Sequence, residues 1–279
     1  MKNVLFVGPL PPPVHGQSIA TKTVLDTLRA VSVSVSVTNT SEGSGSSASR
    51  LARKLLGNAI AVASAIGPTP GNMYLSANSG HGIWLSVAVA GAARLRGRLV
   101  VVHHHSYDSL RRTRRLRALD RAMGRDGIHI ALNSRMAQAL SENVGPARVV
   151  ELENAGLIAP IEPATSAGSY GQLRLGHLSN LSPEKGLREC IELAVALKRS
   201  GIAVTLTIAG PANTAEASGL LERGTLELGD AMEYRGPVYG EQKTAFFHAI
   251  DVFLFPSRYK NEAAPLVVYE SLSAGVPVI

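Results

Sequence analysis

The 279 residues are enough for one large domain or two ordinary ones, and 45% hydrophobic against 18% charged residues excludes global disorder. Cys190 is the only cysteine, which rules out an internal disulfide and a thiolate zinc cluster. A formal charge of +7 favours partners that carry negative charge, while aromatics at 5% argue against a nucleic-acid binder that works by base stacking.

In chain order, "NVLFVG" is an apolar, β-branched run ended by Gly8 and prolines, which predicts a buried strand. "PLPPPVHGQS" follows as a loop, and Ser18 is placed to cap a helix over "IATKTVLDTLRA" with Ile19, Thr23, Val24 and Leu28 inward. "VSVSVSV" alternates with period two and predicts a strand with one polar face; "TNTSEGSGSSAS" has the composition of a loop. Helices over "LARKLLGNAIAVASAI", "GIWLSVAVAGAARLRG", "SLRRTRRLRALDRAMGR" and "MAQALSENV" then alternate with strands "NMYLSA", "RLVVVHHH", "GIHIALNS" and "ARVVELENAG". Such alternation predicts an α/β fold with parallel sheets covered on both faces.

"IAPIEPATSAGSYG" is rich in Pro, Ala, Ser and Gly and reads as a linker, which divides the chain into domains 1–165 and 166–279. Alternation restarts with "LRLGHLS", "GLRECIELAVALKRSG", "AVTLTIAGP", "SGLLERGTLEL", "MEYRGPV", "EQKTAFFHAI", "DVFLFPS" and "PLVVYESLSAG". The closing "VPVI" looks like a strand just beginning, so the second domain is expected to be incomplete. The apolar stretch "GIWLSVAVAGAA" meets Arg94 and Arg96 short of the roughly 20 residues that cross a bilayer, and the start is too short an apolar run for a secretory signal. The expected location is the cytoplasm, with a peripheral place at the inner face of the membrane as its extension.

Glu262 and Glu270 stand with seven mostly apolar residues between them. "DVFLFPS" reads as a buried strand, "RYKNEAA" as the loop outside its carboxyl end, and Pro265 as the first position of a helix. That crevice is where ligands bind in an open parallel sheet. Leu266 and Val267 would offer free amides suited to phosphate, with a carboxylate on each side to accept sugar hydroxyls. A loop acid plus a solvated helix acid is the plainer account. His103, His104 and His105 end a strand; in extended geometry His103 and His105 share one face and His104 takes the other. They could also bind zinc, although no nearby acid or thiolate completes a tetrahedral set. Gly16 allows close backbone approach before a helix, or a simple tight turn. In the basic segment Arg111–Arg125, Leu110, Leu116, Leu119 and Met123 form no clean stripe. It reads as a surface for anionic lipid, for nucleic acid, or as a solvated helix face. Cys190 reads as a packing residue.

"PSRYKNEAAPLVVYESLSAGVPVI" resembles the E-x7-E signature of the retaining glycosyltransferases of family 4, whose fold is GT-B, two Rossmann-like domains facing across a cleft. "LSNLSPEKGLRECIELAVAL", "LTIAGP" and "YRGPV" resemble that family's second domain in order and spacing over about 173–279; "PLPPPVHG", "VVHHHSY" and "ELENAG" agree more loosely with the first. The resemblance implies transfer of a sugar from a nucleoside-diphosphate donor to an acceptor hydroxyl, in glycan, polysaccharide or glycolipid synthesis. It implies no cofactor and no metal.

By the same resemblance Lys185 holds the donor diphosphate, Glu270 the ribose, and Glu262 the donor sugar near the reaction centre. The Leu266 and Val267 amides meet phosphate, Gly16 lies at the first-domain phosphate loop, and Arg235 and Gly236 adjoin the base. His105, then His103, faces the donor sugar and acceptor. The family has an arginine six residues before the lysine; here Ser179, followed by Asn180, stands there, so that charge is missing or is supplied by another residue such as Arg258 or Lys260. Expected partners are a nucleotide sugar, a glycan or lipid-linked acceptor, and an anionic membrane through Arg111–Arg125, with no nucleic acid. An inactive relative kept as a binding or scaffold protein is the alternative, and a basic nucleic-acid binder the more distant one.

Overall fold

Strands and helices alternate from end to end in the computed structural model, which describes residues 3–43, 46–68, 71–111, 113–163 and 171–279. They fall into two compact units, Met1–Ile158 and Ala159–Ile279. The division expected at 165/166 falls in a stretch outside the described residues.

The first unit contains β1 (Asn3–Gly8), α1 (Gly16–Ala30), β2 (Ser34–Asn39), α2 (Ser47–Ile66), β3 (Asn72–Ser76) and α3 (Ile83–Leu95). It continues with β4 (Val100–His103), α4 (Asp108–Arg111), α5 (Thr113–Met123), β5 (Ile128–Ala131), α6 (Ser134–Val144) and β6 (Val149–Glu151). Its sheet runs β2-β1-β3-β4-β5-β6 with every pair parallel. Apolar, β-branched strands suit burial beneath crossover helices. The edge strand β2 leaves Ser34 and Ser36 exposed, the polar face that its alternation predicts.

In the second unit, β7 (Leu173–Leu178), α7 (Leu187–Arg199), β8 (Val204–Ala209), α8 (Ala215–Leu228) and β9 (Met232–Tyr234) are followed by α9 (Glu241–His248), β10 (Val252–Phe253) and α10 (Leu266–Ser273). The strand order is β10-β7-β8-β9, again parallel, and Val278 forms a single parallel bridge to Phe253. Phe246, Phe247 and Phe253 meet edge to face beneath this sheet, with centroids 5.4–6.4 Å apart. Cys190 is buried in α7, and burial pushes its thiol up to about 12, so it packs as an uncharged side chain.

Strand order locates the sites. In each unit the chain departs from one strand to both sides: β1 lies between β2 and β3, and β7 between β8 and β10. Parallel strands beside such a reversal splay the loops that leave their carboxyl ends, which opens a crevice. The loop that leads into α1 at Gly16 leaves β1, and the loop holding Lys185 leaves β7 beside the Phe255–Glu262 segment that leaves β10.

Two expectations are corrected. Helix α1 is capped by His15 rather than Ser18; Ser18 is the third helical residue and completes a reciprocal capping box. The earlier start buries Ser18, Ala20, Thr21 and Leu25, while Val24 and Leu28 pack only in part. In α5, Leu116, Leu119 and Met123 do form a stripe, at spacings of three and four residues, and all are buried. Arg114, Arg117 and Arg121 make up its exposed side; Arg112 lies outside the described residues.

The entry to β10 is fixed by Asp251, which accepts from the Arg174 guanidinium at 2.6 Å and from the Arg174 amide at 2.8 Å. The Arg174 guanidinium holds the Asp251 carboxyl below its ordinary value of 3.8. A depressed carboxyl contributes stability above the ordinary value and loses it as pH falls. Asp251→Asn is expected to cost about 1 kcal/mol at pH 7 by urea denaturation, because the pair is partly exposed. The difference from wild type should narrow as pH falls below 3.8.

Candidate active site

In the second unit the expected donor residues collect at the carboxyl edge of the sheet, and two ion pairs organise them. After β7 the chain turns through Pro183–Lys185 into Gly186, whose φ of +83° lies in the left-handed region. A Cβ on Gly186 would come within 2.6 Å of the Pro256 carbonyl oxygen, so only glycine lets these loops touch. The close approach carries the Lys185 ammonium to the Glu262 carboxylate, with which it forms an ion pair. The same ammonium sits 4.8 Å from the Tyr259 ring centroid and 5.8 Å from that of Phe255. A cation held by a carboxylate and two aromatic faces has little freedom to wander. Ser257 donates its hydroxyl to Glu262 at 3.3 Å.

The second pair lies behind the first turn of α10. Glu270 is buried and accepts from the Lys243 ammonium of α9 at 2.5 Å. Pro265 supplies the cap position of α10, and the next two amides, Leu266 and Val267, have no acceptor among the described residues. Between the two ion pairs the chain therefore presents free donors at the positive end of a helix dipole.

Ser179 offers no cation. Its hydroxyl and His177 Nε2 lie 2.9 Å apart, while His177 Nδ1 lies 2.9 Å from the Leu254 carbonyl oxygen. Burial lowers His177 to about 4, so the ring is neutral at pH 7. Arg258, one of the two residues expected to make up the missing charge, turns instead to Glu189 at 3.0 Å. Asn180 is exposed beside Ser179. Gly210 packs its backbone against the Ser179 carbonyl and donates to the Gly236 carbonyl at 2.8 Å, which joins the loops after β7, β8 and β9. Arg235 pairs with Glu233 at 2.8 Å.

In the first unit only His103 belongs to β4; His104 and His105 follow its end. Their faces alternate as extended geometry requires. The His103 and His105 rings meet with centroids 4.1 Å apart, while His104 stacks on His129 at 5.2 Å on the other side. His103 Nδ1 lies 2.7 Å from the Tyr74 hydroxyl. The Nε2 atoms of both His103 and His105 are buried without a hydrogen-bond partner among the described residues. Among the described residues, nothing lies within 4 Å of a Cβ placed on Gly16.

Behind them, His104 Nε2 is 2.9 Å from His129 Nδ1, His129 Nε2 is 3.3 Å from Asp120, and Asp120 pairs with Arg148 at 2.9 Å. Burial, then the neighbouring His104, lowers His103 to about 3; burial, then the charge of Arg148, lowers His129 to about 4. His105 is lowered by burial and next by His103. Sequence reasoning missed Lys243, His177, Ser257 and Tyr259. Only Ser257 and Tyr259, inside the loop preceding Glu262, carried a signal that could have flagged them.

Residues 169–279 match the family model of the glycosyl transferases group 1. Over the whole chain the structure superimposes on UDP-bound HepE of Anabaena, with a TM-score of 0.66, 20% identity and 80% of that protein covered. The fold is GT-B. A glycosyltransferase of Rickettsia africae gives a TM-score of 0.66 at 14% identity, over 99% of this chain and 78% of that one. WaaG, a glycosyltransferase involved in lipopolysaccharide biosynthesis, gives 0.62 at 15% identity, over 99% and 80%. No curated protein sequence matches the chain. The group 1 match spans β7 to Ile279, and so includes both ion pairs of this GT-B chain.

The buried neutral histidines give the chain a pH dependence. An unfolded histidine takes up a proton near its ordinary value of 6.5, whereas folded His129 and His177 do so near 4. Between these values the unfolded state binds more protons, so stability is complete above 6.5 and falls as the solution is acidified. Each such ring should remove on the order of 1 kcal/mol per pH unit. The urea midpoint should drop clearly from pH 7 to pH 5; an unchanged midpoint would contradict neutral burial.

Proposed function

We propose that the chain is a retaining glycosyltransferase that moves a sugar from a nucleoside-diphosphate sugar to an acceptor hydroxyl in glycan, polysaccharide or glycolipid synthesis. The observation that carries this reading is the pairing of Lys185 with Glu262 next to the amides of Leu266 and Val267, which have no acceptor among the described residues. HepE has been seen with UDP and glucose and with UDP-glucose, which makes UDP-glucose the first donor to try.

In this reading the diphosphate takes the place of a carboxylate beside Lys185, and the α10 amides donate to its oxygens. Charge builds on the leaving diphosphate as the glycosidic bond breaks, and a fixed ammonium stabilises that charge most where water is excluded. Glu262, freed from Lys185, accepts from hydroxyls of the donor sugar; Glu270, steadied by Lys243, accepts from the ribose. Arg235 and Gly236 border the base. A donor phosphate oxygen takes the proton of the incoming hydroxyl, and the acceptor is assigned to the first unit, where His105 and His103 offer neutral Nε2 atoms. The diphosphate charge is met by side chains and amides, without a metal.

One observation favours a second reading, a binding protein without turnover. Ser179 occupies the place of the expected arginine, its hydroxyl is engaged by His177, and Arg258 is engaged by Glu189. Calorimetry with UDP-glucose, followed by assay of released UDP, separates the two readings. Lys185→Ala and Glu270→Gln should each weaken UDP binding by about 10- to 100-fold. Full activity in both variants would refute the site.

A further inference from the structure

His177 is buried in the second unit with a partner on each ring nitrogen: Nδ1 lies 2.9 Å from the Leu254 carbonyl oxygen and Nε2 lies 2.9 Å from the Ser179 hydroxyl. A carbonyl oxygen can only accept, so the ring proton sits on Nδ1. Burial lowers the ring to about 4, against the Leu254 contact and with help from the Lys185 charge, so at pH 7 Nε2 carries a bare lone pair. Ser179 has one hydroxyl proton, and it goes to Nε2.

Ser179 is thereby left as an acceptor. Its oxygen keeps lone pairs that no donor meets among the described residues. The residue is half-buried just past the carboxyl end of β7, where the strand order reverses and a crevice opens. Leu254, which holds His177, is followed by Phe255, whose ring centroid lies 5.8 Å from the Lys185 ammonium. The serine and its histidine therefore stand at the same corner of the unit as the lysine of the donor site.

The pair has no easy way to turn over. For Ser179 to donate elsewhere, Nε2 would remain buried and unpaired, and turning the ring would strip the Leu254 carbonyl of its donor. The oxygens of a diphosphate accept at pH 7, so an acceptor facing them gains nothing. A hydroxyl donates. The ribose hydroxyls are common to a nucleotide sugar and its nucleoside diphosphate, whereas those of the transferred sugar exist only before transfer.

We propose that Ser179, held as an acceptor by His177, takes a hydrogen bond from a hydroxyl of the transferred sugar, so that the site distinguishes the nucleotide sugar from the nucleoside diphosphate it becomes. His177 is the positioning residue. After transfer the hydroxyl departs with the product, Ser179 is unpaired again, and release of the diphosphate is favoured. This role rests on the donor reading, yet the two fail separately.

Calorimetry of the full chain with UDP-glucose and with UDP tests it. Ser179→Ala should weaken UDP-glucose about three- to tenfold and leave UDP unchanged, whereas Lys185→Ala weakens both. His177→Phe removes the acceptor and frees the serine to donate to phosphate, so UDP should tighten and the preference for UDP-glucose shrink. His177→Gln keeps an acceptor oxygen for the serine and should retain most of that preference. Should circular dichroism show His177→Phe unfolded, Ser179→Ala decides alone. Wild-type binding of neither nucleotide overturns the donor reading and this role together. Any Ser179→Ala result in which UDP-glucose is not selectively weakened overturns this role alone.

Discussion

Everything proposed for the donor site depends on one contact: the Lys185 ammonium held against Glu262 and the face of Tyr259. Lysine is a flexible side chain whose ordering costs about 2 kcal/mol of rotamer entropy, and a site that orders it in advance spares the ligand that cost. The constraint begins at Gly186, since a Cβ there would push the loop after β7 off the loop after β10 and separate the charges. It continues into the sheet, where β7 and β10 are neighbours only because the strand order reverses at that point.

The two ion pairs also order the proposed donor site with the chain's own side chains. Lys185 and Lys243 are both largely covered and would be costly to leave bare, and Glu262 and Glu270 satisfy them. A diphosphate can replace one carboxylate partner without exposing either lysine. The first unit is built on the opposite principle: burial keeps its His103, His104, His105 and His129 uncharged, with His103 Nδ1 against the Tyr74 hydroxyl and His104 Nε2 against His129 Nδ1, while the Nε2 atoms of His103 and His105 have no partner among the described residues.

Local pattern carried most of the fold. Apolar runs located all the strands among the described residues, and the alternation of strand and helix implied parallel sheets. The spacing of Glu262 and Glu270 around a proline-started helix was enough to point to the crevice beside β10. What escaped was set by tertiary contact. Lys243 lies on a helix with no clear amphipathic pattern, and its partner is 27 residues away. The cap of α1 passed to His15 because an imidazole Nδ1 can accept from a backbone amide as a hydroxyl can, at 3.3 Å here. Helix α2 was recognised as a helix, but which side faced inward depended on the close approach of Gly57 to β2, and periodicity alone cannot see that.

The central claim is that the second unit cradles a nucleoside diphosphate, and thermal unfolding of the chain with UDP, uridine or inorganic phosphate tests it most directly. A bound ligand raises the midpoint by mass action, with a shift that grows with the logarithm of its concentration. UDP is predicted to raise the midpoint and uridine to have little effect, because the phosphates meet Lys185 and the α10 amides. If neither UDP nor any other nucleoside diphosphate moves the midpoint, the cradle does not exist as described.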